Sequence, residues 1–190
     1  MNAHGPNLVL IGMPGSGKST VGQRLAAFFE RPFVDTDAMI VEKAGCSIPE
    51  IFAQQGEPVF RDLETCCIRE AAAARGSIIA TGGGMVQRAE NVAALSASGV
   101  LLFINRSPES ILGGCALQDR PLVQGDMARL EALYQRRLPL YLAAADAVIP
   151  DHLTVDEAVR LAVLGYVAHT TSGFVPVRPG PSASSFMLRR

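Results

Sequence analysis

Short continuous apolar runs alternate along this chain with stretches whose apolar residues recur every three or four positions. Leu8–Ile11 is apolar throughout and is closed by Gly12, the pattern of a strand buried on both faces. From about Lys18 to Phe29, the residues Val21, Leu25 and Phe28/Phe29 share one stripe and predict a helix. Pro32-Phe33-Val34 predicts a second strand that ends at Asp35. Ser47 with Glu50 makes a capping box that starts a helix through Ile51 and Phe52. A longer helix is expected over about Val59 to Ala74, stopped by Gly76. Ser77–Ala80 and Val100–Ile104 predict the third and fourth strands, and Ser107-Pro108 caps and opens the next helix. A helix from about Met127 runs past Arg137 and adjusts at Pro139. Ala147–Ile149 predicts the fifth strand, and Thr154 with Glu157 caps a last helix to about Tyr166.

Strands separated by helices imply an α/β protein, a parallel sheet with helices on both faces. Ligands of such sheets bind outside the carboxyl ends of the strands. The stretch from Gly12, the pair Asp35/Asp37 and Gly82–Gly84 each follow a predicted strand, which places one site along one edge of the sheet. Between Gly113 and Gly125 the periodicity dissolves among glycines and prolines, as expected of a functional lid. From Thr170 onward, Pro176, Pro179 and Pro181 with glycines and serines predict a loosely draped tail. The expected organisation is one folded domain over residues 1–168, a lid at about 113–125, and a tail over 169–190.

The chain has 190 residues, 48% of them apolar and 18% charged, enough for a sizeable core. Its longest apolar run, Leu140–Ala145, is six residues, far below the ~20 of a membrane-spanning helix. A formal net charge of −1 gives no overall cationic footprint for nucleic acid, so neither nucleic acid nor membrane is an expected partner. Met1–Asn7 carries neither a basic nor an apolar leader pattern, and Cys46, Cys66, Cys67 and Cys115 lack metal-site or disulfide spacing. Both features fit reduced thiols in a cytoplasmic location.

Gly12-Met13-Pro14-Gly15-Ser16-Gly17-Lys18-Ser19 satisfies G-x-x-x-x-G-K-[ST] between a predicted strand and a predicted helix. Glycines let successive backbone N–H groups turn inward around an anion, and the helix N-terminus adds partial positive charge. Gly15, Ser16, Gly17, Lys18, Ser19 and Thr20 are therefore candidate nucleotide-binding residues, with Lys18 reaching the β/γ-phosphates and Ser19 ligating Mg²⁺. No N-K-x-D motif reads guanine, and the strand Val100–Ile104 is followed by Asn105 rather than an aspartate. A short chain with a lid-like segment suits a kinase of a small acceptor. Two carboxylates, Asp35 and Asp37, follow the second strand. One facing the phosphate loop would hold Mg²⁺ through water and the other would face an acceptor hydroxyl; alternatively, one simply caps the helix that follows.

Gly12–Ser19, Asp35-Thr36-Asp37, Phe60-Arg61 with Glu64, Gly82-Gly83-Gly84, Arg120-Pro121-Leu122, and Arg137 before Pro139-Leu140-Tyr141 resemble, in order and spacing, the shikimate kinases. The resemblance spans roughly Asn7 to Tyr166. It implies a nucleoside-monophosphate-kinase-like fold, a five-stranded parallel sheet with a lid. It implies a transferase that moves the γ-phosphoryl group of MgATP to the 3-hydroxyl of shikimate, toward chorismate and the aromatic amino acids, and that works as a monomer. By the same resemblance Asp37 contacts the accepting hydroxyl, Arg61 and Arg137 hold the shikimate carboxylate, and the Gly83 backbone donates to the substrate. Asp35 organises Mg²⁺ through water, with Ser19 as direct ligand, and Arg120 meets the transferring phosphate from the lid. Arginine forks suit a carboxylate, and a triple glycine removes side chains from the path of the acceptor.

Two positions depart from the family pattern. Gly113 stands near where many shikimate kinases carry an arginine over the adenine, and Val41 stands where they often carry a glutamate. A related small-molecule kinase, such as a gluconate kinase, would explain Gly12–Ser19 but not the arginine pair with the triple glycine. A kinase-like sensor that binds shikimate or nucleotide without turnover is the non-enzyme alternative, opposed by the intact Lys18, Ser19, Asp35, Asp37 and Arg120.

Overall fold

The computed structural model describes residues 5–113 and 127–171. Five strands, β1 (Asn7–Ile11), β2 (Phe33–Asp35), β3 (Ile78–Ala80), β4 (Gly99–Ile104) and β5 (Ala147–Ile149), form one sheet in the order β2-β3-β1-β4-β5. Every pairing is parallel, with Leu8 opposite Ile78 on one side and Val100 on the other. β1, apolar from Leu8 to Ile11, lies at the centre, where both of its faces are covered.

Side-chain alternation along the strands divides the core in two. Val9, Ile11, Ile79, Leu101 and Phe103 face one layer of helices, packing on Ile68, Leu95, Leu130 and Tyr141. Leu8, Leu10, Ile78, Leu102 and Ile104 face the other, against Val21, Leu25, Ala162 and Tyr166. The first layer is α4 (Gly56–Ala73), α5 (Ala89–Ser98) and α7 (Met127–Ala144), and the second is α1 (Lys18–Phe29) and α8 (Val155–Thr171). A third, smaller cluster of Ile40, Ile51, Phe60 and Cys67 joins α4 to α2 (Thr36–Ala44) and α3 (Ile48–Gln54) beyond the sheet edge.

The sequence-predicted elements all form, with revised ends. α3 begins at the expected capping box, Ser47 with Glu50. α4 starts at Gly56, earlier than expected, because Pro58 falls in its first turn, where a missing N–H breaks no helical bond. α7 continues through Pro139. α8 runs to Thr171, beyond both Tyr166 and the expected boundary at residue 168. The short α6 (Pro108–Gly113) opens with Ser107 Oγ accepting from the Ser110 N–H at 3.2 Å. No sequence pattern marks α5, whose sequence AENVAALSAS is rich in small residues and buries only Asn91, Leu95 and Ser98. The expected lid, apart from Gly113, and the tail from residue 172 lie outside the described residues. Among the described residues, no helix is long and apolar enough to cross a membrane.

Candidate active site

The loop between β1 and α1 holds the glycine-rich motif. Gly17, at φ 90°, is the N-cap of α1 without a side-chain cap, so the first helical N–H groups stay available to an anion. Lys18 is buried, and its ammonium donates to Gly12 O at 3.0 Å, Met13 O at 2.8 Å and Ser16 Oγ at 3.4 Å. Gly15 and Ser16 lie in the loop itself, whereas Thr20 is exposed in the first turn of α1.

Asp35 caps the helix that follows, one of the two roles open to the pair, and it also binds Ser19. Its Oδ1 accepts the Asp37 N–H at 3.0 Å and so caps α2, while its Oδ2 accepts the Ser19 hydroxyl at 2.7 Å. No cluster of three or more His, Cys, Asp or Glu side chains able to hold a metal exists among the described residues. Mg²⁺ needs no such cluster, because it is held by one or two protein oxygens together with phosphates and water. The hydroxyl–carboxylate pair of Ser19 and Asp35, beside a phosphate loop, has that chemistry.

From Pro14 and Asp35, a cavity of about 670 Å³ extends past Asp37 to Arg61, Glu64, Gly82–Gly84 and Arg137. Val41, Ile48, Phe52 and Phe60 form its apolar wall. α4 turns Arg61 and Glu64 inward on the same stripe as Phe60, Cys67 and Ile68. Arg61 Nη1 donates to Glu64 Oε2 at 2.9 Å, and its Nε and Nη2 donate to Glu57 Oε1 at 3.2 and 2.9 Å. From α7, Arg137 Nη1 donates to Gly83 O at 3.2 Å, and the Tyr141 hydroxyl donates to the same oxygen at 2.5 Å. The buried Arg137 Nε and Glu64 Oε1 have no hydrogen-bond partner among the described residues.

The ionisable groups show the strain of this burial. Burial pushes the Glu64 carboxyl above the usual carboxylate range despite the Arg61 charge. Burial, and the like charge of Arg61, pull Arg137 below the usual arginine range. Burial pulls Arg61 in the same direction, but Glu64 and Glu57 outweigh it and hold the guanidinium above its ordinary value. Burial raises the Tyr141 hydroxyl to about 12, which keeps it a hydrogen-bond donor. An anionic group entering the cleft would meet one buried guanidinium already neutralised and another short of negative charge.

The glycine turn makes room for these side chains. A Cβ on Gly82 would stand 2.5 Å from Asp37 Oδ1 and 2.9 Å from Glu64 Oε1, and one on Gly84 would collide with the Arg61 guanidinium. Its role is therefore more specific than clearing a path for the acceptor: it lets Asp37, Arg61 and Glu64 converge. The Gly82 N–H donates to Thr36 Oγ1 at 3.1 Å, fastening the turn to the start of α2.

Of the anticipated residues, Asp35, Asp37, Arg61, Gly83 and Arg137 line one cleft, which Ser19 reaches through Asp35. Lys18 sits at the base of the adjoining loop, and Arg120 lies outside the described residues. Glu64 and Tyr141 stand within the motifs that resemble the family, and the sequence alone gives them no role. Their signal was a carboxylate and a phenol on the apolar stripes of α4 and α7.

The family model described as shikimate kinase matches residues 14–166. A shikimate kinase from Symbiobacterium thermophilum is 43% identical over 144 residues, which cover 73% of this chain and 83% of that protein. The solved structure of a shikimate kinase from Acinetobacter baumannii, in complex with shikimate, superposes with a TM-score of 0.80 at 33% identity, covering 88% of this chain and 94% of that one. A gluconokinase from Sinorhizobium meliloti, 17% identical with a TM-score of 0.53 and covering 88% of this chain and 95% of that one, shares the fold alone. From a match of this extent, and relatives this similar over most of their length, the chain belongs to the shikimate kinase family.

Proposed function

We propose that this protein transfers the γ-phosphoryl group of ATP to the 3-hydroxyl of shikimate, giving shikimate 3-phosphate and ADP. The carrying observation is the cleft itself: Arg61 and Arg137, both buried, share it with Asp37 and with the edge of the phosphate loop. A small carboxylate bearing hydroxyl groups matches that arrangement from end to end. Arg61 and Arg137 bind the carboxylate, whose charge offsets the burial that depresses Arg137. The Gly83 carbonyl, held by Arg137 and Tyr141, fixes the turn so that its N–H donates to the ring substituents.

Phosphoryl transfer passes through a loose transition state, so positioning and charge neutralisation supply most of the rate. The loop from Gly15 to Thr20 seats the triphosphate. Lys18 exchanges its loop carbonyl partners for phosphate oxygens, and Arg120 adds positive charge from the lid. Ser19, as direct ligand, and Asp35, through water, would hold Mg²⁺, which would supply charge neutralisation on the phosphate oxygens. Asp37 orients the 3-hydroxyl and takes its proton late, as the new O–P bond forms and the bond from the γ-phosphorus to the bridging oxygen breaks. The electron pair of that bond leaves with ADP. The protein acts as a monomer in the cytoplasm, with shikimate as its small-molecule partner.

A coupled ADP-release assay with shikimate, gluconate or no acceptor tests the reading. ADP release that depends on shikimate is expected. Release driven by gluconate, or none with any acceptor, would refute it.

A further inference from the structure

β4 ends at Ile104, and the next three residues carry the chain into α6 beside the phosphate loop. Their backbone is pinned on both sides. The Asn105 N–H donates to Ile149 O at 2.9 Å and its side-chain oxygen accepts from the Tyr134 hydroxyl at 2.9 Å. The Ser107 N–H donates to Asp151 Oδ2 at 2.8 Å. Between these anchors Arg106 is half-buried, and its guanidinium makes no hydrogen bond or ion pair among the described residues. It stands against the phosphate loop, since a Cβ built on Gly17 would lie 3.8 Å from Arg106 Nη1.

Sheet order decides which ligand this cation serves. Asp35 ends β2, on the β3 side of β1, and the acceptor cleft lies there. Arg106 follows β4, on the other side of β1, and does not line that cleft. It is also the only cationic side chain in β4, α6 and the turn between them, residues 99–113. A half-buried guanidinium without a carboxylate partner is costly, and its planar fork of donors matches phosphate oxygens. The uncapped N-terminus of α1 at Gly17 polarises the same space in the same sense.

We propose that Arg106 is a nucleotide-binding residue, its guanidinium contacting the phosphate chain of a nucleoside di- or triphosphate seated on the Gly12–Ser19 loop. This assignment rests on the nucleotide half of the proposed reaction and is independent of the acceptor. The test is calorimetric titration of the full chain with ADP and Mg²⁺, without acceptor, for wild type, Arg106→Gln and Arg106→Lys, with melting curves to check folding. Loss of one charge-assisted contact is expected to raise the Arg106→Gln dissociation constant for ADP about tenfold. Arg106→Lys, which keeps the charge but not the planar fork, is expected to fall between wild type and Arg106→Gln. The shikimate dissociation constant should stay the same in all three proteins. An Arg106→Gln affinity within twofold of wild type would overturn the assignment, and so would an Arg106→Lys loss equal to that of Arg106→Gln, which would mark a stacking role. Wild-type protein that binds ADP but releases none with shikimate would sink the proposed acceptor and leave Arg106 to be judged by these titrations.

Discussion

Replacing Glu64 with glutamine separates the order of the acceptor cleft from the stability of the fold. The Glu64 side chain is 1% exposed, with one oxygen on Arg61 at 2.9 Å and the other without a partner among the described residues. Its carboxyl is raised by burial, against the pull of Arg61. A folded-state pKa above the unfolded value, near 4.3, means that the group favours folding fully below that pH and loses this contribution as pH rises through the folded value. Glutamine removes the buried charge and keeps an oxygen able to accept from Arg61. Stability at pH 7.5 should therefore stay within about 1 kcal/mol of wild type, a melting shift of no more than about 2–4 °C. The melting difference, variant minus wild type, should grow from pH 5 to pH 8. Arg61, in contrast, loses its charged partner and keeps Glu57, whose side chain is 59% exposed. A charge-assisted hydrogen bond is worth about 1.5–3 kcal/mol, so the shikimate KM should rise about 10- to 100-fold while the ATP KM changes less than twofold. Steady-state kinetics with each substrate varied, alongside melting curves across that pH range, measure both effects. An unchanged shikimate KM, or a melting loss above about 10 °C, would refute the reasoning.

Asp37→Asn should keep ADP affinity within about threefold, measured by calorimetry, and lower kcat by about 10²- to 10⁴-fold, since it removes the proton acceptor; near-normal turnover would take Asp37 out of the chemistry. Gly84→Ala puts a methyl group into the Arg61 guanidinium and should cost about 1–3 kcal/mol of stability in denaturant unfolding, with shikimate affinity falling about tenfold. Burial works against the Asp151 charge, but hydrogen bonds from Ser107 outweigh it and bring the carboxyl down to about 2. A depressed folded pKa gives stability that is present above the unfolded value, near 3.9, and is lost as pH falls through the folded one. Asp151→Asn should therefore melt about 2–4 °C lower than wild type at pH 6, and the gap should close between about pH 4 and pH 2.

Where one residue type forced a local geometry, the sequence was readable. The apolar run Leu8–Ile11, the Ser47/Glu50 capping box and the glycine-rich loop each appear as expected, because the signal of each lies within a few consecutive residues. α5 escaped notice because its alanines and serines carry little apolar contrast, and its place is set by packing on α4 and β4. The site residues were legible as types but not as a network. That Asp35 binds Ser19, or that Gly84 admits Arg61, depends on contacts between segments distant in the chain. Arg106 was invisible for the same reason: only the order of strands around β1 brings it to Gly17.

The most direct test of the central claim is identification of the product formed from ATP and shikimate, by phosphorus and proton NMR. One phosphate coupled to the ring proton at carbon 3, with one ADP formed for each shikimate consumed, is the predicted result. Phosphate on another hydroxyl, or inorganic phosphate in place of a phosphorylated acceptor, would contradict the assignment of Asp37, Arg61 and Arg137 to the acceptor.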